Sequence, residues 1–99
     1  MASRKAIRSR RVYIGERTWT IQHVPGLPSD RDGDCNWPKR RIRVRSTLRG
    51  VALMDALLHE LLHARFWDLD ESVVNEFAST AAAILDREGF RQADDHEDE

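Results

Sequence analysis

The chain has 99 residues, of which 40% are apolar and 33% are charged, and this predicts one small globular domain with a single hydrophobic core. Its apolar runs fall short of the roughly 18 residues that a membrane span needs, so the sequence predicts no membrane-spanning segment. The basic N-terminus is not followed by a hydrophobic segment, which argues against a secretory signal. A single cysteine, Cys35, excludes an internal disulfide framework and a four-cysteine zinc site, and it is typical of a cytoplasmic protein.

The charge is divided unevenly along the chain. Residues 1–50 contain 13 Lys or Arg and 4 Asp or Glu, whereas residues 51–99 contain 3 and 13, so charges of +9 and −10 sum to the net −1. A basic half can indicate a nucleic-acid or acidic partner, but two halves of opposite charge can also fold against each other. The second interpretation is favoured because the basic residues are spread over predicted strands instead of one helix face.

The first half of the chain predicts a basic arm followed by β-strands. Residues 1–10 have few large apolar groups and predict a flexible arm. Apolar and polar residues alternate on both sides of the turn residues 15–17, so residues 11–24 predict a β-hairpin. Residues 30–34 predict a polar loop. Residues 41–45 alternate Arg with Ile or Val and predict a half-buried strand, whose arginines and place as the last strand indicate a sheet edge protected by charge.

The second half of the chain predicts two helices and an acidic tail. Apolar residues recur at helical spacing over residues 53–66 and form one wide face. Asp70 is a good N-cap for a second helix, and Gly89 is a natural end for it. The apolar positions of that second helix are Val73, Val74, Phe77, Ala81, Ile84 and Leu85. Residues 91–99 predict a disordered acidic tail, which leaves residues 11–90 as the folded domain.

The first predicted helix carries the sequence His59-Glu60-Leu61-Leu62-His63. Residues four apart project from the same helix face, so both imidazoles can bind one metal ion. Glu60 lies about 100° round the helix, where it can accept a proton from water that the metal acidifies without binding the metal itself. The two histidines interrupt a nearly continuous run of leucine and alanine, where burying them without a partner would cost free energy. This favours a metal site over two ordinary helix residues.

A catalytic zinc site usually has three protein ligands and leaves a fourth position for water. The third ligand is predicted at the start of the second helix, which a short turn folds back across the first. There Glu71 lies at the edge of the apolar face and is directed at the histidine pair, and Asn75 is placed one turn later to orient a ligand histidine. The competing carboxylates are Asp68, Asp70 and Glu76, of which Glu76 lies roughly 140° from Glu71 on the solvent side.

These motifs resemble the gluzincin metallopeptidases in their smallest, single-domain form. HELLH followed by Glu-x-x-x-Asn-x-Phe-Ala from residue 71 is most similar to the ImmA/IrrE-type and related phage-encoded peptidases, over about residues 30–88. The segment HELLHARFW also looks like the SprT-like peptidases, whose third histidine has no counterpart within reach in this chain. The resemblance implies that the zinc ligands are His59, His63 and Glu71, the general base is Glu60, and the residue supporting a ligand is Asn75.

The expected fold is an α+β zincin-like minidomain with a small, mostly antiparallel three-stranded sheet packed on two helices. The expected activity is zinc-dependent hydrolysis of a peptide bond in a protein or peptide substrate that pairs with edge strand 41–45. The alternative is a zinc-stabilised binding or virion-associated regulatory module without turnover. A weaker one is peptidase action on proteins bound to nucleic acid at the basic half. The groups left open as stabilisers of the oxyanion are Tyr13, His23 and Arg65.

Overall fold

The computed structural model describes residues 8–28 and 30–92. Within these ranges the elements in chain order are β1 (Arg8–Ile14), β2 (Arg17–Val24), β3 (Gly33–Asn36), β4 (Arg41–Arg45), α1 (Gly50–Arg65) and α2 (Glu71–Arg87). The four strands form one sheet and the two helices pack against each other, so the predicted α+β class is confirmed. Neither of the two described helices is long and apolar enough to cross a bilayer.

The predicted hairpin is present as the antiparallel pair of β1 and β2. Both residues of its two-residue turn have positive φ, Gly15 at 57° and Glu16 at 69°, which is the geometry that matches the twist of paired strands. β1 includes residues 8–10, which the sequence assigns to the arm. The rest of the predicted arm, residues 1–7, and most of the predicted tail, residues 93–99, lie outside the described residues.

The sheet has four strands in the order β1-β2-β4-β3, so the predicted number of three strands is wrong, whereas two of the three strand pairings are antiparallel. The missed strand is β3, whose sequence Gly-Asp-Cys-Asn has low β propensity and overlaps the predicted polar loop 30–34. β2 and β4 run parallel, whereas β3 and β4 run antiparallel, and the sheet is therefore mixed.

β4 lies inside the sheet, which corrects the prediction that residues 41–45 form an edge. Its arginines bind neighbouring parts of the sheet and loop. Arg43 Nε donates to Asp34 Oδ1 at 3.0 Å, and the Arg45 guanidinium donates to backbone carbonyls in the segment 27–31. The charge on this strand therefore holds β3 and the preceding loop in place instead of protecting an edge.

The hydrophobic core lies between the sheet and α1. Its buried members are Trp19, Ile42, Val44, Leu53, Ala56 and Ala64. Ile42 and Val44 are fully buried, as the alternation of their strand predicts. These contacts fix α1 on the sheet through one face and leave its other faces to meet α2 and to line a site.

α2 packs through a narrow buried face of small residues, which are Val74, Ala78 and Ala82. The predicted apolar face is wrong in part, because Val73, Phe77 and Ile84 are exposed. Small side chains let the two helices approach closely, and this brings the first turn of α2 next to α1. The helix ends at Arg87, and Gly89, the residue that the sequence predicts as its end, follows two positions later with the left-handed φ of 100° that is typical of a helix terminus.

Candidate metal site

His59 and His63 lie on one face of α1, as their spacing predicts, with ring centroids 4.8 Å apart. The helix ends at Arg65, and residues 66–70 reverse the chain before α2 begins at Glu71. Contacts between the two helices show that they run antiparallel, because residue 63 meets residue 71 and residue 55 meets residue 79. The short turn therefore places the start of α2 beside the histidine pair.

The Glu71 carboxylate bridges the two imidazoles. Its Oε2 lies 3.1 Å from His59 Nε2, and its Oε1 lies 2.8 Å from His63 Nε2. One ligand atom from each of these residues lies within 4.8 Å of the other two. The three residues that the sequence predicts as zinc ligands thus come together, and the competing carboxylates Asp68, Asp70 and Glu76 are not part of this group.

The donor set of two imidazole nitrogens and one carboxylate oxygen fits zinc. Bonds from zinc to nitrogen and oxygen are about 2.0–2.1 Å long, so ligand atoms on a tetrahedron round the ion lie about 3.3 Å apart. The distances of 2.8 and 3.1 Å join the two imidazoles to different oxygens of Glu71, and one ligand atom from each residue lies within 4.8 Å of the other two. Three protein ligands also leave one tetrahedral position for water or substrate.

Glu60 lies on the buried side of this group, with 7% of its surface exposed, and lines a cleft together with His59. Its carboxylate forms no hydrogen bond or ion pair with any other described residue. Burial, and after it the charges of Asp34 and Glu71, raise the pKa of Glu60 to about 7, against the opposing charge of Arg31. Burial in the cleft therefore favours the protonated form of the Glu60 carboxyl group.

Gly33, the first residue of β3, lies directly against the Glu60 side chain. A Cβ atom at residue 33 would lie 2.8 Å from the Arg43 carbonyl oxygen and 3.3 Å from Glu60 Oε2. The strand approaches the carboxyl group this closely because glycine has no side chain. β3, the strand that the sequence misses, is therefore one wall of the cleft.

The cleft has a volume of about 480 Å³ and runs along α1, between the loop before β3 and the first half of α2. Besides Glu60, His59 and Glu71, the charged residues that line the cleft are Asp30, Arg31, Asp32 and Asp55. Ser79 Oγ on α2 donates to Asp55 Oδ2 at 3.1 Å and so joins the helices beside the cleft. Sequence reasoning missed these residues, because a polar loop of turn residues carries no spacing that points to a site.

Asn75 lines the cleft one turn after Glu71, but no hydrogen bond joins it to His59 or His63. Its role in orienting a ligand histidine stays a prediction. A different contact holds this part of α1, because Trp37 Nε1 donates to the His63 carbonyl oxygen at 3.0 Å. The Trp37 ring in turn packs edge-on against the buried Trp19, with centroids 5.1 Å apart, so the sheet supports α1 at the second histidine.

The residues left open as stabilisers of an oxyanion, Tyr13, His23 and Arg65, do not line the cleft. His23 lies in a separate notch with Arg8 and Arg10, where burial and then these two charges lower its pKa. Arg31 is instead the cationic side chain among the described residues of the cleft.

Similarity to known proteins gives no assignment for this chain. Protein-family models, curated proteins and solved structures were all compared with it, and none matches. The resemblance carried by the two helical motifs therefore stays an expectation, and the side chains round the cleft are the observations that bear on function.

Cys35, on β3 behind the cleft wall, is a free, half-buried thiol. Burial, followed by the charges of Glu60 and Asp34, raises its pKa to about 11.

We expect the Cys35 thiol of native protein to resist a thiol reagent at about pH 8 and that of unfolded protein to react fully. An absorbance assay with and without denaturant measures the reacted fraction. Because the folded pKa lies above the unfolded value of 9.0, the thiol's contribution to stability is lost as the pH rises from about 9 to about 11. Rapid stoichiometric labelling of the native protein would contradict this burial.

Proposed function

We propose that the chain is a zinc-dependent metallopeptidase that hydrolyses peptide bonds in a protein or peptide substrate. The observation that supports this most is the grouping of the three ligands His59, His63 and Glu71 beside the buried, unpartnered carboxylate of Glu60 in an open cleft. A structural zinc site usually has four protein ligands and needs no free carboxylate next to it. A cytoplasmic location is part of this proposal, because a single cysteine without a disulfide framework is typical of proteins in a reducing compartment.

The proposed reaction assigns a separate task to each group. When bound, zinc polarises the scissile carbonyl and lowers the pKa of water in the open position. Glu60 accepts a proton from the attacking water and then donates it to the leaving nitrogen, so one carboxyl group serves both halves of the reaction. Because Glu60 has no hydrogen bond or ion pair with another described residue, its carboxylate is available to both proton transfers. His59, His63 and Glu71 would hold the zinc ion from two helices.

The proposed substrate path follows β3 instead of residues 41–45, because β4 lies inside the sheet. β3 forms the sheet edge next to Glu60, and no described strand pairs with its outer side. An extended peptide added to this edge would pass along the cleft wall at Gly33.

Substrate peptides that each carry a single N-methyl group on a backbone amide test this path. If the peptide pairs as a strand, every second amide along it donates to β3, so methylation of those amides should block cleavage and methylation of the others should not. Equal cleavage of all the methylated peptides would rule the pairing out.

Arg31 is proposed to stabilise the negative charge that develops on the carbonyl oxygen. Its side chain is about half exposed, so Arg31→Gln should lower kcat by about 10- to 100-fold, less than the ~10²–10³-fold effect of a buried oxyanion donor. Zinc affinity should not change. Arg65→Gln is the matched control, since Arg65 lies outside the cleft with its guanidinium over Phe66. Equal kcat values for the two variants would show that Arg31 has no such role.

The peptidase proposal is tested by incubating the zinc-loaded protein with a mixture of unfolded proteins and identifying new chain ends by mass spectrometry. Cleavage that chelation removes and added zinc restores is the expected result. Intact substrates in the presence of stoichiometric bound zinc would overturn the peptidase proposal. That outcome would instead favour the zinc-stabilised binding module.

A further inference from the structure

α2 has a second apolar surface on the side away from the metal site. We call it the apolar stripe, and it consists of Val73, Phe77 and Ile84. These side chains are exposed by 48%, 55% and 54%, and they lie within about 40° of one another round the helix. Glu71 lies about 140° from the centre of the stripe, so the stripe and the metal site face in different directions.

The stripe is not needed to attach α2 to the rest of the chain. That contact is made by the small residues Val74, Ala78 and Ala82, which are already buried. A helix with apolar residues on two faces is normally covered on both, and contiguous exposed apolar patches mark interaction surfaces. We therefore expect another molecule to cover the apolar stripe.

The charges beside the stripe indicate which partner fits. Glu76 and Arg87 lie on the same flank of the stripe, near opposite ends of the helix. Neither forms an ion pair with another described residue. In an antiparallel pair of helices related by a two-fold axis, residues on the same flank face each other. When Phe77 packs on Ile84 of a second copy, Glu76 lies within one turn of Arg87 of that copy, and symmetry makes this contact twice.

We propose that the apolar stripe is the interface of a two-fold symmetric homodimer in which the α2 helices of two copies pack antiparallel. α2 has 17 residues and is thus about 25 Å long. One helix pair of this length covers less than the ~800 Å² per partner of a standard interface, so the association is weak and depends on concentration. Both metal sites face away from the interface and stay open.

The test is sedimentation equilibrium over a concentration series, with a chelator present so that shared metal ions cannot join two chains. The average mass should rise towards twice that of one chain as concentration increases. Phe77→Glu and Val73→Glu should each leave a monomer. Tyr13→Glu is the matched control, because Tyr13 is 82% exposed on β1, a strand that makes no contact with α2. Circular dichroism of each variant checks that it is folded.

Charge reversal separates the antiparallel pair from any other association. Glu76→Arg and Arg87→Glu should each weaken the dimer by about tenfold or more, because two attractive contacts become repulsive. The double variant exchanges the two charges and should restore the wild-type dissociation constant. A monomer at every concentration would overturn the proposal. A dimer whose dissociation constant neither charge reversal raises would also overturn it, and so would a double variant that dimerises no better than the single variants. These outcomes do not depend on whether the protein binds zinc or cleaves a substrate.

Discussion

Replacing Glu60 by Gln is expected to reduce peptide cleavage below detection while leaving zinc binding unchanged. General acid–base groups contribute about 10²–10⁴-fold to rate, and an amide of the same shape can neither accept the proton of water nor return it to the leaving nitrogen. Glu60 is 93% buried and is not part of the ligand group, so Gln fits the same space and leaves the ligands in place. The measurements are kcat on a cleaved peptide and zinc content of the purified variant.

Glu88→Gln is the control for this experiment, because Glu88 is an exposed carboxylate just past the far end of α2. It should retain the wild-type kcat. A wild-type rate for Glu60→Gln would remove the acid–base role that the proposed reaction gives this residue. Loss of zinc from Glu60→Gln would show instead that the carboxylate binds the metal directly.

The part of the site that lies on the two helices could be predicted, because it depends on residues that are close together in the sequence. His59 and His63 are one helical turn apart, and that spacing alone puts both imidazoles on one face. A short turn at residues 66–70 folds α2 back along α1, as the sequence predicts, and Glu71 lies beside the histidine pair. The histidine spacing and the short turn between the helices were thus enough to predict that these three side chains come together.

The sheet half of the site could not be predicted because it depends on long-range pairing. Residues 33–36 become a strand only because β4 is available to pair with them, and their own sequence is that of a turn. The parallel pairing of β2 with β4 then turns residues 41–45 into an interior strand. The pairing of β3 with β4 brings the loop that carries Arg31 to the cleft. No pattern in the loop's own sequence indicates this position.

The apolar positions of α2 show a different limit. Period alone gives the same weight to Val73 and Val74, which are neighbours in the sequence, although one is half exposed and the other is fully buried. The buried face consists instead of small residues, which a hydrophobicity pattern ranks low. The choice of face depends on how closely the helices approach, and that is a property of the packed structure.

Replacing Glu71 by Gln is expected to lower zinc affinity by more than about 100-fold. Removing a residue that only supports a metal ligand lowers metal affinity about 10–100-fold, and Glu71, which contacts both imidazoles, is proposed as a direct ligand. The same variant should lose most of the thermal stabilisation by zinc. Zinc at about 100 times its dissociation constant adds about 2.7 kcal/mol to the stability of a folded protein. For a domain of this size that raises Tm by about 10–20 °C.

Glu88→Gln is the matched control for Glu71→Gln, because it removes an exposed carboxylate at the far end of the same helix, outside the ligand group. Competition with a chromophoric zinc chelator and thermal melting with and without zinc give the two readouts, and neither needs catalytic turnover. Equal zinc affinities for the two variants would mean that the Glu71 carboxylate is only an ion-pair partner of the histidines. A large loss with Glu71→Gln alone would establish a two-helix zinc site even if no substrate is cleaved, because metal binding and proton transfer depend on different carboxylates.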